Sequence, residues 1–122
     1  MSDKNILVIE DSEVEGLYLR RIAEKIDNTS VTLVRNYEDA CKLCTTEKYD
    51  LVLVDAIVPK GEAKDFLTEM KRTELNKNTN AVIMGSPSDF KEKGFAKSTG
   101  FVNYIEKPVE FNVLKAVITM YA

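Results

Sequence analysis

Acidic, hydroxyl and ammonium side chains stand at the ends of four short apolar segments of this chain. The first segment is followed by Glu10 and Asp11, the third by Asp55, the fourth by Ser86 and the fifth by Lys107. Two carboxylates about 4 Å apart repel each other by roughly 4 kcal/mol at an effective dielectric of 20, so a crevice that collects three of them needs a cation. An all-oxygen donor set that keeps waters for an incoming phosphate suits Mg²⁺ better than Ca²⁺ or Zn²⁺.

The composition excludes several other kinds of chemistry. The chain contains no histidine, which removes Ser–His and Cys–His nucleophile pairs, histidine general bases and histidine metal ligands. It also lacks the Asp-x-Asp-x-Asp-Gly pattern of a calcium-binding loop. The 17 basic and 20 acidic residues give a net charge of −3, and the basic residues are scattered, so we expect no direct binding to nucleic acid.

Five short apolar runs, separated by segments of helical period, must position these side chains. The runs are Ile6–Ile9, Val31–Val34, Leu51–Val54, Ala81–Met84 and Val102–Ile105. Continuous apolar runs are typical of strands covered on both faces, and their alternation with helices predicts a parallel sheet. We therefore expect a doubly wound α/β domain. Its ligand site would lie beyond the carboxyl ends of the strands, and the commonest strand order would bring the three carboxylates into one crevice.

The first predicted helix has a recognisable start. Ser12 stands three residues before Glu15, which predicts a capping box. The apolar residues with helical spacing in this segment are Val14, Leu17, Ile22 and Ile26.

The length and the apolar runs bound the organisation of the chain. A chain of 122 residues is the size of one domain, so we expect a single unit over residues 1–122. The apolar runs are strand-sized and the N-terminal residues lack a signal-peptide pattern, so we expect a cytoplasmic protein that neither enters nor spans a membrane.

Several segments together resemble the receiver domains of two-component response regulators, over essentially the whole chain. The segment from Ile6 to Asp11 matches the family's first strand and acidic pair. The segment from Tyr49 to Asp55, with Pro59 four residues on, matches the phosphoacceptor region. The remaining matches are Ser86 at the Thr/Ser position and Tyr104-Ile105-Glu106-Lys107-Pro108 at the aromatic and Lys-Pro positions.

The resemblance implies a fold and a phosphoryl acceptor. The fold is the flavodoxin-like one of chemotaxis regulators, a five-stranded parallel sheet in the order 2-1-3-4-5 with helices on both faces. By the same resemblance, Asp55 accepts a phosphoryl group from the phosphohistidine of a sensor histidine kinase or a phosphotransfer protein. The domain would modify itself and shed the group again, but would not be a turnover enzyme.

The resemblance also implies a metal site and a switch. Glu10 and Asp11 would hold Mg²⁺ with Asp55 and the backbone carbonyl of Ile57. Lys107 would pair with the phosphoryl oxygens and Ser86 would bond to one of them. Ser86 and Tyr104 would change position on phosphorylation.

Two local departures from the family pattern keep an alternative open. Glu62-Ala63 stands where an Asp-Gly turn usually follows the proline, and Pro87 replaces the usual small residue after Ser86. The alternative is a pseudo-receiver, an interaction module that keeps the fold and ignores phosphate. A turnover phosphatase would need a second acid beside Asp55 to drive release, which the residues that follow Asp55 do not supply.

Cys41 and Cys44 form a Cys-x-x-Cys motif that we interpret as structural. Redox-active versions lie at a helix N-terminus, where the helix dipole lowers the thiol pKa, but these cysteines lie inside the second predicted helix. No second cysteine pair or histidine completes a zinc site.

The last predicted helix carries two apolar stripes. One arc is expected to face the sheet, and a second stripe of Val113, Ala116 and Met120 lies outside it. This stripe would simply face solvent or a neighbouring loop, or it would form a contact surface beside Tyr104. The surface would then bind a downstream protein partner or a second copy of the chain in a homodimer. The arc expected to face the sheet consists of Phe111, Leu114, Val117, Ile118 and Tyr121.

Overall fold

A computed structural model of the chain describes residues 3–89 and 100–122. Within these ranges five parallel strands form one sheet in the order β2-β1-β3-β4-β5, which confirms the predicted fold and strand order. The strands are β1 (Lys4–Ile9), β2 (Thr29–Val34), β3 (Leu51–Asp55), β4 (Asn80–Gly85) and β5 (Asn103–Glu106). The helices are α1 (Glu13–Ala23), α2 (Tyr37–Thr46), α3 (Ala63–Lys71) and α4 (Phe111–Tyr121).

The helix predicted between β4 and β5 lies mostly outside the described residues. Residues 87–89, directly after Ser86, are helical, and residues 90–99 are not described.

The core forms two layers, one on each face of the sheet. Alternate residues of the central strands point to opposite faces, so Leu7 and Val52 pack in one layer while Val8 and Leu53 pack in the other. The first layer contains residues of α2 and α3, and the second contains residues of α1 and α4. Burial on both faces explains why the central strands β1, β3 and β4 read as continuous apolar runs. The edge strands β2 and β5 are less covered than predicted, with one fully buried residue each.

The apolar spacing predicted for α1 is only half right. Val14 and Leu17 are 79% and 50% exposed, whereas Leu19, Ile22 and Ala23 are buried against the sheet. At 100° per residue, Val14 and Leu17 lie roughly 140–160° around the helix from Leu19, so they cannot share its face. The first turn of α1 therefore presents apolar side chains to the outside.

The two stripes predicted on α4 are confirmed. Leu114, Val117 and Ile118 are buried, and Phe111 and Tyr121 pack partly buried against the same layer. In the second stripe, Val113 and Met120 are 43% and 68% exposed and Ala116 is also exposed.

Candidate functional site

The acidic residues predicted at two strand ends come together in the structure. Glu10 and Asp11 follow β1 directly, and Asp55 is the last residue of β3, which pairs with β1. One carboxylate oxygen from each of these residues lies within 4.8 Å of the others. The parallel register of the two central strands is therefore what builds the cluster. This all-oxygen donor set fits Mg²⁺.

Lys107 places a cation against this cluster. Its Nζ lies 2.8 Å from Oε1 of Glu10 and 3.1 Å from Oδ2 of Asp55. The backbone N–H of Lys107 donates to the carbonyl of Gly85 at the end of β4, which anchors the base of the side chain. The ends of the first, third and fifth strands thus come together, as the sequence predicted.

Burial shapes the charge state of the cluster. Burial, and then the hydrogen bond and charge of Asp55, raise the pKa of Glu10 from 4.5 to about 7, although Lys107 opposes the shift. Burial alone would lower the pKa of Lys107, but its hydrogen bond to Glu10 and the charge of Asp55 raise it above its ordinary value. The lysine therefore stays charged, while the buried acids repel one another enough to favour either a proton or a metal ion.

The Asp55 carboxylate is held by one backbone N–H and one side chain. Its Oδ1 accepts a hydrogen bond from the backbone N–H of Ile57 at 3.2 Å, while Oδ2 contacts Lys107. Each carboxylate oxygen thus has a different partner. The predicted use of the Ile57 carbonyl as a metal ligand stays a prediction.

Tyr37 also supports the site, although no motif in the sequence predicted this. Its hydroxyl donates to the backbone carbonyl of Asp55 at 2.9 Å, and its ring stacks on Phe66 with 5.9 Å between the ring centroids. A Cβ atom on Gly61 would lie 2.8 Å from this ring, so the loop after Pro59 passes over it only because that residue is glycine. The tyrosine connects the start of α2 to the end of β3.

Glu15 also contacts the site, and this contact differs from the capping-box role predicted for its side chain. The first half of the predicted capping box forms, because Ser12 Oγ accepts from the Glu15 backbone N–H at 3.3 Å. In the second half, the Ser12 N–H bonds to Glu10 instead, and Oε2 of Glu15 lies 3.4 Å from Nζ of Lys107. The sequence prediction considered residues that follow strands, so it did not include Glu15, which lies in the first turn of a helix.

Ser86 lies at the end of β4, as predicted, and its hydroxyl is bonded within its own segment. Ser86 Oγ accepts from the backbone N–H of Asp89 at 3.2 Å and lies 2.9 Å from Ser88 Oγ. The Ser86 N–H in turn donates to the Asp89 carboxylate at 2.9 Å. This reciprocal pattern caps the helical turn that begins at Pro87.

The remaining residues singled out from the sequence are Tyr104, Glu62-Ala63 and the two cysteines, and each lies in or next to a regular element. Tyr104 lies in the edge strand β5 with an exposed side chain. The departure at Glu62-Ala63 is accommodated because α3 begins at Ala63. Both cysteines lie within α2, and burial raises the pKa of Cys44 to about 12, which disfavours the thiolate and agrees with a packing role.

The fold and this cluster define a signalling domain of the receiver class. The family model of the response regulator receiver domain matches residues 6–119, so the chain belongs to this family. Receiver domains are non-catalytic signalling domains of two-component systems that interact with histidine kinases or phosphotransfer proteins. Within the described part of the chain, no helix is both long and apolar enough to cross a membrane.

Two curated relatives are similar to almost the whole of this chain. The chain is 29% identical over 120 residues to the 3',5'-cyclic-nucleotide phosphodiesterase regA of Dictyostelium discoideum, with 96% of this chain and 15% of that protein covered. It is 25% identical over 117 residues to the aerobic respiration control sensor protein ArcB of Escherichia coli, again with 96% and 15% covered. The chain thus spans a small part of the length of these two relatives.

The fold matches that of a solved receiver domain. This is the receiver domain of the sensor histidine kinase PA1611 from Pseudomonas aeruginosa, which superposes with a TM-score of 0.87 at 18% identity and covers 98% of both chains. That crystal structure has a magnesium ion coordinated in its active-site cleft.

Proposed function

We propose that this domain is a phosphorylation-controlled switch of a two-component system in which Asp55 accepts a phosphoryl group. The supporting observation is the convergence of three carboxylates and one ammonium group on a single crevice, with Asp55 in contact with Lys107 at 3.1 Å. The donor would be the phosphohistidine of a sensor histidine kinase or a phosphotransfer protein. The P–N bond to that histidine breaks as an Asp55 carboxylate oxygen bonds to phosphorus, and the electron pair of that bond stays on the ring, which leaves as neutral imidazole because its other nitrogen already carries a proton.

Mg²⁺ would be the cofactor of this transfer. Glu10, Asp11 and Asp55 would hold it, together with the backbone carbonyl of Ile57. When bound, the ion offsets the negative charge on the phosphoryl oxygens. The magnesium ion in the PA1611 receiver domain supports this assignment.

The side chains of this chain supply the remaining parts of the chemistry. The Ile57 N–H orients the Asp55 carboxylate, and the charged Lys107 is placed to pair with the transferred phosphoryl oxygens. Because the acid cluster repels anions without a metal ion, phosphorylation should depend strictly on Mg²⁺.

The output of the switch would pass through Ser86 and Tyr104. Phosphoryl contact would draw the Ser86 hydroxyl away from Ser88 and Asp89, and Tyr104 would move inward from its exposed position. A downstream protein would then bind beside β5 and α4. Structures with and without a phosphoryl mimic test this step, and identical Ser86 and Tyr104 positions in the two would contradict it.

The central experiment is intact-mass measurement after incubation with Mg²⁺ and a small phosphodonor. We expect the wild type to gain one phosphoryl group and Asp55→Asn to gain none. Asp65→Asn serves as the matched control, because Asp65 is an exposed aspartate on α3. A mass gain in Asp55→Asn at the wild-type rate would refute the assignment, and no gain in the wild type would favour the pseudo-receiver alternative.

A further inference from the structure

A third carboxylate, that of Glu15, shares the ammonium group of Lys107 with Glu10 and Asp55. Oε2 of Glu15 lies 3.4 Å from Nζ, and its side chain is 51% exposed, whereas the side chains of Glu10 and Asp55 are buried. A lysine ammonium has three N–H donors, and here three carboxylates surround it. Glu15 is therefore the outermost partner, on the solvent side of Lys107.

The start of α1 holds Glu15 in this position. Ser12 caps the helix through the Glu15 backbone N–H, so the first turn is fixed relative to the end of β1. A cleft of about 420 Å³ opens beside it, lined by Glu10, Glu15 and Lys107 and by mainly apolar neighbours. A group that approaches Lys107 through this cleft passes the Glu15 carboxylate.

We propose that Glu15 determines donor specificity by disfavouring small, highly charged phosphodonors at this site. The inference rests on the proposed function, because it concerns the phosphoryl transfer to Asp55. Glu15 acts in two ways: its charge repels an incoming anion, and its contact occupies an N–H of Lys107 that the phosphoryl oxygens need. In the second way it is a positioning residue, since it acts through Lys107.

The charge of the donor should reveal this role. Repulsion grows with the negative charge of the donor and weakens as salt screens it. A dianionic acyl phosphate should therefore be disfavoured more than phosphoramidate, which carries less negative charge at neutral pH. A purely structural role of Glu15 in capping α1 would slow or speed both donors equally.

The chain offers a matched control in Glu13. Glu13 and Glu15 both lie in the first turn of α1, so replacing either by glutamine changes the net charge and the interaction with the helix dipole alike. The ion pairs of Lys107 among the described residues are with Glu10, Glu15 and Asp55. Glu13→Gln thus removes a nearby charge without removing a lysine partner.

The experiment measures the rate of phosphoryl gain by intact mass, in Mg²⁺, for the wild type, Glu15→Gln and Glu13→Gln. With acetyl phosphate at low ionic strength, Glu15→Gln should react about 2–5-fold faster than the wild type. The gain should be smaller with phosphoramidate and should shrink in about 1 M salt. Glu13→Gln should stay close to the wild-type rate.

The outcomes separate this inference from the proposed function. Equal rates in the wild type and Glu15→Gln, or an equal gain in Glu13→Gln, would overturn the role of Glu15 and leave phosphorylation of Asp55 intact. No mass gain in any of the three proteins with either donor would overturn the proposed function and this inference together.

Discussion

Glu10 carries a proton-dependent part of the stability of this domain. Its side chain is fully buried, and burial followed by the influence of Asp55 raises its pKa to about 7 from 4.5. The folded protein therefore binds the proton more tightly than the unfolded chain does. This contribution to stability is fully present below pH 4.5 and is lost as the pH rises through about 7.

We therefore predict that Glu10→Gln, measured without Mg²⁺, is more stable than the wild type at pH 8. The variant keeps a neutral side chain at all pH values, so the difference should be roughly 1–3 kcal/mol at pH 8 and should shrink towards pH 5. Urea unfolding at both pH values in EDTA checks this, with the exposed Glu13→Gln as a control. The same pH dependence in Glu10→Gln and the wild type would contradict the raised pKa.

Tyr37 should affect the reaction as well as the stability. Tyr37→Phe keeps the ring on Phe66 but removes the hydrogen bond to the Asp55 carbonyl, so we expect a loss of about 1 kcal/mol and a several-fold slower phosphorylation. Tyr49→Phe is the matched control, because Tyr49 is also buried and lies just before β3, at the opposite end of that strand from Asp55. If both variants phosphorylate at the wild-type rate, Tyr37 has only a structural role.

At the scale of single residues, the main site residues were predictable from the sequence, but the contacts that support them were not. Asp55 ends a strand and Glu10 and Lys107 directly follow one, and parallel strands bring their carboxyl ends to one edge. The contacts of Glu15 and Tyr37 depend on where a helix begins and how far a side chain reaches across it. No spacing rule within one segment contains that information.

At the scale of elements, helix α1 shows how apolar spacing can mislead. Its apolar residues fall on two faces, and only the face of Leu19 and Ile22 meets the sheet. The other face places Val14 beside the cleft at Lys107. Periodicity alone cannot tell a core face from an exposed one when a helix carries both.

Helix α4 carries an exposed apolar stripe that we expect to bind a protein. The side chain of Asn103 in β5 donates to the Tyr121 hydroxyl at 3.2 Å, which joins this helix to the strand that carries Tyr104. Replacing Val113 and Met120 by lysine should then weaken self-association, or binding of the cognate partner, at least tenfold without unfolding the domain.

Sedimentation with and without a phosphoryl mimic, together with binding to the cognate partner, tests this surface. Asn112→Lys with Thr119→Lys is a matched control, because these exposed residues lie on the same helix with the same seven-residue spacing. Unchanged sedimentation and unchanged partner binding in the Val113 and Met120 variant would remove the stripe as an interface.

At the scale of the whole molecule, the strand order is the feature that the pattern alone could not supply. Continuous apolar runs alternating with helices predict a parallel doubly wound sheet, but several orders share that pattern. The order 2-1-3-4-5 came from the resemblance to receiver domains and is confirmed. The order matters for function, because it makes β1 and β3 neighbours and so assembles the acid cluster.

The position of this cluster predicts that Mg²⁺ stabilises the entire domain. The central strands β1 and β3 contribute to both core layers, so an ion that binds their folded carboxyl ends stabilises one cooperative unit. At a Mg²⁺ concentration 100 times the Kd, the free energy of unfolding should rise by about 2.7 kcal/mol. The gain should be larger at pH 8 than at pH 6, because Glu10 must lose its proton to bind the ion. Urea unfolding with and without Mg²⁺ measures the gain, and an equal gain in Asp11→Asn would show that the ion binds elsewhere.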